Sequence, residues 1–245
     1  MTESAAGGLA LSGVSYAYGS KTALDDVSFS VDRGRFCALL GPNGAGKSTL
    51  FALMTRLFVG RSGSIRIAGI DLAANPRSAL ARIGVVFQQP TLDLELTVQR
   101  NLTYFAALHG LTGQDAARRI DAALQRLDMG ERAKERVREL NGGHRRRTEI
   151  ARMLIHDPEV VLLDEPTVGL DAASRKAITD HVHRLCRDDG LTVLWATHLV
   201  DEVEAGDQLV VLHQGRVLAD AGAGEVAGDR PLAEAFLAMT AATPA

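Results

Sequence analysis

Phe36-Cys37-Ala38-Leu39-Leu40-Gly41-Pro42-Asn43-Gly44-Ala45-Gly46-Lys47-Ser48-Thr49-Leu50-Phe51-Ala52-Leu53-Met54 runs from five apolar residues, through a glycine-rich loop, into a helix-compatible stretch. Strand, loop and helix in that order decide the fold class: an α/β core built on a phosphate-binding loop. Three glycines let the backbone curl until consecutive N–H groups face inward, and the helix N-terminus adds partial positive charge at the same place. Gly41, Pro42, Asn43, Gly44, Ala45 and Gly46 are the expected cradle. Lys47 is expected to reach the β- and γ-phosphates of a nucleotide, the Ser48 hydroxyl to ligate Mg²⁺, and Thr49 to stand beside them.

Working outward, Leu9 to Tyr18 and the alternating Val27 to Val31 read as strands joined through Gly19-Ser20-Lys21, an antiparallel β layer ahead of the core. Tyr18 is a candidate to stack on an adenine ring, and Tyr16, two residues away on the same strand face, is its rival. Gly63 to Ile67 reads as a strand, Pro76 to Arg82 as a short helix, and Ile83 to Phe87 as a buried strand ending at Gln88. From Thr97 the period changes to that of helices. Val98, Leu102 and Phe105 mark the first, Ile120, Leu124 and Leu127 the second, and Asn141-Gly142-Gly143 caps a third that Pro158 closes.

Val160-Val161-Leu162-Leu163 is a fully apolar strand that delivers Asp164 and Glu165 at its carboxyl end, the edge where α/β sheets bind ligands. Asp164 is placed to hold Mg²⁺ opposite Ser48, and Glu165 to polarise a water attacking the γ-phosphate. A strand from Thr192 to Ala196 ends at Thr197-His198. His198 and Gln88 each admit two readings, a γ-phosphate contact or a packing residue. A helix capped by Asp171, a hairpin around His213-Gln214-Gly215 and a helix from Pro231 to Met239 complete the chain.

The expected organisation is one domain over residues 1–245. Residues 1–88 and 158–222 form the nucleotide core with its antiparallel layer, 89–157 a helical insertion, and 223–245 a terminal helix and tail. With 46% hydrophobic residues the chain can supply a sizeable core. A net charge of −3 and 4% aromatic residues give no reason to expect nucleic acid. Cys37 and Cys186 read as buried thiols rather than a disulfide. Met1 to Gly8 lacks a secretory leader's pattern and no window approaches the roughly 18 apolar residues of a spanning helix, so a cytoplasmic location is expected.

The phosphate loop, Gln88, Leu140-Asn141-Gly142-Gly143-His144, Leu162-Leu163-Asp164-Glu165-Pro166, Gly169-Leu170-Asp171 and His198 together resemble the ATP-binding subunits of ABC transporters, in the same order and from about Leu9 to Met239. In that family two cassettes sandwich two ATP molecules, each site pairing one phosphate loop with the other subunit's glycine-pair signature. The resemblance implies a second copy and a polytopic transmembrane permease as partners, with the chain peripheral on the inner membrane face. It makes Tyr18 the adenine platform, Gln88 the link from the metal site to the permease, Glu165 the catalytic base, Asp171 part of a subunit-crossing loop and His198 the switch histidine.

Asn141 and His144 replace the Ser and Gln of the family's usual Leu-Ser-Gly-Gly-Gln. Asn141 still caps a helix and still donates to phosphate. His144 reads either as a neutral hydrogen-bonding substitute or as a source of pH dependence, and a helix N-terminus favours the neutral form. Arg145-Arg146-Arg147 reads as a solvated helix face. Residues 88–98 and 232–237 look like bacterial export-type systems. Adding Asn141 to Arg147 and Trp195 to His198, the chain is similar to the ATP-binding subunit found alongside PQQ-dependent alcohol oxidation. A soluble ABC-type ATPase in a non-transport role is the alternative. A small-molecule P-loop kinase would have no use for Asn141 to His144.

Overall fold

The computed structural model describes residues 7–60 and 62–241. Two sheets frame the chain. The first is antiparallel, in the order β2-β1-β4-β5, from β1 (Leu9–Tyr18), β2 (Lys21–Val31), β4 (Ser62–Ile67) and the two-residue β5 (Ile70–Asp71). The second has the order β10-β9-β3-β8-β7-β6, from β3 (Phe36–Leu40), β6 (Ile83–Val86), β7 (Val160–Asp164), β8 (Thr192–Thr197), β9 (Gln208–His213) and β10 (Arg216–Gly222). Its members pair parallel except β10, which closes the edge as a hairpin with β9. The expected α/β core with an antiparallel layer is what forms.

The apolar runs of β3, β7 and β8 split by the pleat between two cores. Phe36, Ala38, Leu40, Val161, Leu163, Val193 and Trp195 face one, while Cys37, Leu39, Val160, Leu162, Leu194 and Ala196 face the other. Both faces are covered, and each buried aliphatic side chain contributes about 1.5–3 kcal/mol. The second core lies under the antiparallel sheet and α1 (Lys47–Met54). The first packs against α3 (Val98–Leu108), α4 (Gly113–Arg126), α5 (Gly142–Leu154) and α6 (Ala172–Asp189). The short α2 (Pro76–Leu80) precedes β6, and α7 (Ala223–Ala227) and α8 (Leu232–Ala241) end the described chain.

Side chains fix where the helices begin. Thr97, Asn141 and Asp171 accept from the backbone N–H of Arg100, His144 and Ser174 respectively, capping α3, α5 and α6, each worth about 1 kcal/mol. Gly190 stops α6 in the left-handed conformation, at φ +67°. Strand register then sets the site: Leu40 lies opposite Thr197, and Asp164 opposite Ala196. The carboxyl ends of β3, β7 and β8 therefore finish side by side.

One local expectation needs correction. Arg145-Arg146-Arg147 is not a solvated face: Arg146 is 6% exposed and pairs with the buried Glu149 at 2.8 Å. Its guanidinium also donates to the carbonyls of Phe87 and Gln88, while Arg145 donates to those of Val137 and Arg138. Buried arginine is tolerated here because the Glu149 carboxylate balances its charge and the Phe87 and Gln88 carbonyls accept two further hydrogen bonds. In the segment after Gln88, Leu92, Leu94 and Leu96 are not equivalent. Leu92 enters the core and Leu94 is exposed, because the Asp93 carboxylate turns the chain by accepting from Glu95 N.

Candidate nucleotide site

Gly41 and Gly46 are required by close backbone approach. A Cβ on Gly41 would come within 2.4 Å of the Leu212 carbonyl oxygen. One on Gly46, at φ +112°, would meet the Ala23 carbonyl oxygen and Leu24 Cδ2, both at 2.8 Å. The loop is held from both sides: Gly41 N donates to Thr197 O at 3.2 Å, and Gly215 N to Ala45 O at 2.9 Å. It opens onto a cleft of about 710 Å³ lined by Asn43 to Thr49, Tyr18, Gln88, Glu165 and His198.

Four of these groups converge although they come from four separate segments. Lys47 Nζ lies 3.3 Å from Glu165 Oε1 and donates to the Gly41 and Pro42 carbonyls at 2.6 and 3.2 Å. Gln88 Nε2 donates to Glu165 Oε2 at 3.2 Å. His198 Nδ1 approaches Glu165 Oε1 to 3.2 Å but off line, so among the described residues this buried nitrogen has no hydrogen-bond partner. Glu165 takes φ +45°, a left-handed conformation that costs a non-glycine residue about 1–3 kcal/mol and persists only where its surroundings hold it.

Asp164 is 7% exposed. Burial raises its pKa from 3.8 to about 6, the neighbouring Glu165 adds to the rise, and Lys47, a hydrogen bond with Ser48 and Arg146 oppose it. A buried carboxylate and a hydroxyl are hard oxygen donors of the kind Mg²⁺ takes, and Gln88 can add a third oxygen. These residues therefore fit that ion.

Tyr18 lines the cleft, half exposed, with its hydroxyl 3.2 Å from Thr49 Oγ1. Tyr16 instead stacks on Phe58, centroids 5.6 Å apart, and meets Tyr18 edge-on. Pairing with β2 shifts register between Tyr16 and Ala17, which breaks the simple alternation that made the two equal candidates.

The remaining expected residues stand apart from this cleft. Asn141, Gly142, Gly143 and His144 form the start of α5, packed against the segment after β7: a Cβ on Gly142 would lie 3.0 Å from Leu170 Cδ2, and one on Gly143 3.0 Å from Ser174 Oγ. Asn141 Oδ1 caps α5, and both Asp171 oxygens accept from Ser174. The His144 pKa is lowered by burial first and then by Arg132 and Arg147, against Glu135, rather than by the helix N-terminus that the sequence suggested. Cys37 and Cys186 are free and buried, with burial raising both thiol pKa values, that of Cys186 to about 11. The sequence reading missed Lys21, Thr22, Ala23, Val168 and Gln214 as cleft residues. Lys21 and Gln214 each stood in a legible turn, and the Gln214-Gly215 turn docks against Ala23 and Ala45.

A glycine-bounded phosphate loop between a central strand and its helix, with an Asp-Glu pair at the end of a neighbouring parallel strand, defines a P-loop nucleotide-binding protein. The family model described as ABC transporter matches residues 24–168, and the chain belongs to that family. It is 38% identical over 204 residues to the linearmycin resistance ATP-binding protein LnrL of Bacillus subtilis, covering 83% of this chain and 65% of that protein. It is 39% identical over 211 residues to the Nod factor export ATP-binding protein I of Mesorhizobium japonicum, covering 86% and 62%. The chain thus spans about two thirds of the length of these relatives.

Among solved structures, it resembles cbiO1 from Clostridium perfringens, part of the ABC transporter complex cbiONQ, with a TM-score of 0.83, 29% identity and 94% of this chain and 92% of that one covered. It also resembles a dimeric post-hydrolysis state of an ATP-binding cassette bound to ADP and Pi, with a TM-score of 0.76, 27% identity and coverage of 87% and 98%. No helix among the described residues is long and apolar enough to cross a membrane.

Proposed function

We propose that this chain is the ATP-binding and ATP-hydrolysing subunit of an export-type ABC transporter, dimerising around ATP and driving a polytopic membrane permease. The observation that carries this is the meeting of Lys47, Gln88 and His198 at Glu165, beside the phosphate loop. Lys47 exchanges its loop carbonyls and Glu165 for the β- and γ-phosphates. Freed from that ion pair, Glu165 takes a proton from the attacking water, while His198 Nδ1, which lacks a hydrogen-bond partner among the described residues, is available to the γ-phosphate. Ser48, Asp164 and Gln88 hold Mg²⁺, whose chemistry is to neutralise charge on the phosphate oxygens. Tyr18 stacks on the adenine.

The signature Asn141-Gly142-Gly143-His144 and the Asp171 segment serve the second copy's ATP, which is consistent with their lying outside this chain's own cleft. We read residues 89–157 as the subdomain carrying that signature. A groove of about 720 Å³, with exposed Leu57, Tyr104 and Leu108 and the side chains of Arg152 and His156, is the seat for the permease. Peripheral attachment to the inner membrane face follows from that seat. Membership of the subgroup associated with PQQ-dependent alcohol oxidation rests on Asn141 to Arg147 and Trp195 to His198, added to residues 88–98 and 232–237.

Glu165→Gln tests the reading. It is expected to keep ATP affinity while slowing hydrolysis about 100-fold or more, so that an ATP-bound dimer accumulates on size exclusion. Near-normal turnover removes Glu165 from the mechanism. Co-purification with a polytopic membrane protein separates transport from a soluble role.

A further inference from the structure

Trp195 is the chain's single tryptophan and is fully buried on β8, three residues before His198. Its indole N–H donates to Glu202 Oε2 at 3.0 Å, and the Thr167 hydroxyl donates to Glu202 Oε1. Glu202 is 2% exposed and Thr167 is 1% exposed. A carboxylate at that depth is tolerated because both oxygens accept hydrogen bonds. The two donors come from the two segments that carry the proposed γ-phosphate groups.

Thr167 stands two residues beyond Glu165, in a turn where Val168 N donates to Glu165 O at 3.3 Å. Glu202 ends the single helical turn Val200–Glu202 that follows His198, with its N–H on the Leu199 carbonyl at 3.3 Å. The parallel ladder between β7 and β8 stops with Asp164 opposite Ala196, followed by one bond from Glu165 N to Ala196 O at 2.9 Å. Glu202 then ties Thr167, past the end of the ladder, back to Trp195, which pairs within it opposite Leu163. Glu165 itself keeps its left-handed φ of +45°, which the ladder alone does not impose.

We propose that Glu202 is a positioning residue for ATP hydrolysis: its buried bridge from Thr167 to Trp195 keeps Glu165 and His198 in fixed relation at the γ-phosphate. This rests on the ATPase reading above. Glu202→Gln preserves the bridge, because the amide oxygen accepts from the indole and the amide N–H donates to a Thr167 hydroxyl that turns to accept. Glu202→Ala leaves two buried donors unmatched. Thr167→Val removes one link at nearly constant volume.

The test is single-turnover hydrolysis at saturating Mg-ATP, with ATP affinity measured in parallel, on the full chain and these three variants. The rate is expected to fall about 10- to 100-fold in Thr167→Val and Glu202→Ala, as displacement of reacting groups does. ATP affinity should stay within about twofold, since the phosphate loop is untouched, and Glu202→Gln should restore most of the rate. Trp195 emission should differ between ATP-bound and ADP-bound wild type, and Thr167→Val should reduce that difference. A folded Thr167→Val chain with wild-type rate overturns the proposal. So does a loss of thermal stability at unchanged rate per folded molecule, which marks a purely structural bridge. A folded wild-type chain that neither binds nor hydrolyses ATP overturns the ATPase reading itself, and the bridge's role with it.

Discussion

Asp164→Asn, in the absence of nucleotide and divalent cation, is expected to stabilise the protein at neutral pH while disabling it. The folded state raises the Asp164 pKa from 3.8 to about 6, mainly through burial. An acid with a raised folded pKa binds its proton more tightly when folded, so stability falls as pH rises from about 4 to above 6 and stays reduced beyond. About two pH units at 1.36 kcal/mol each set a ceiling near 3 kcal/mol at pH 7.5, about half of it already present at pH 5. Asparagine keeps the shape and a hydrogen bond to Ser48 without the charge. Denaturant melts with a chelator present should show a gain of about 1–3 kcal/mol at pH 7.5, or roughly 2–10 °C in Tm, that shrinks toward zero near pH 4. Mg²⁺-dependent hydrolysis should fall by two orders of magnitude or so. No gain at pH 7.5, or an equal gain at both pH values, would refute the account of a charge held against burial.

Arg146→Ala should cost about 3 kcal/mol by urea unfolding, since it leaves the buried Glu149 carboxylate without its paired charge and with only the Thr91 donors; a loss below about 1 kcal/mol would return Arg146 to the surface role first assigned to it. Tyr18→Ala should weaken ATP binding by about 1 kcal/mol in calorimetry, while Tyr16→Ala, which loses the stack on Phe58, should alter Tm and leave affinity alone. Lys47→Ala and Gly142→Asp should each be inactive, and mixing them with subunit exchange should restore part of single-turnover hydrolysis through one intact composite site. Verified exchange without recovery, where exchange with wild type does recover, points to a one-chain active site.

By itself the sequence determined the local chemistry. The strand, loop and helix from Phe36 to Met54, the change of period at Thr97, the caps at Asn141 and Asp171, and the apolar run delivering Asp164-Glu165 are all legible, because propensity, periodicity and capping act within a few residues. Leu9 to Tyr18 could be bounded to the residue, yet β2 runs back to Lys21, further than its alternation indicates, since pairing with β1 extends it. The tertiary structure decided which groups share a volume. Residues 47, 88, 165 and 198 meet only because β3, β8, β7 and β6 lie adjacent in a register that ends them together. Arg146 is buried because the carbonyls of Phe87 and Gln88 and the Glu149 carboxylate surround it, and nothing in Arg145-Arg146-Arg147 singles it out. Glu202 looks like one more surface acid until Thr167 and Trp195 close on it. Burial and convergence depend on strand order and register, which contacts between distant parts of the chain set and no short window of sequence contains.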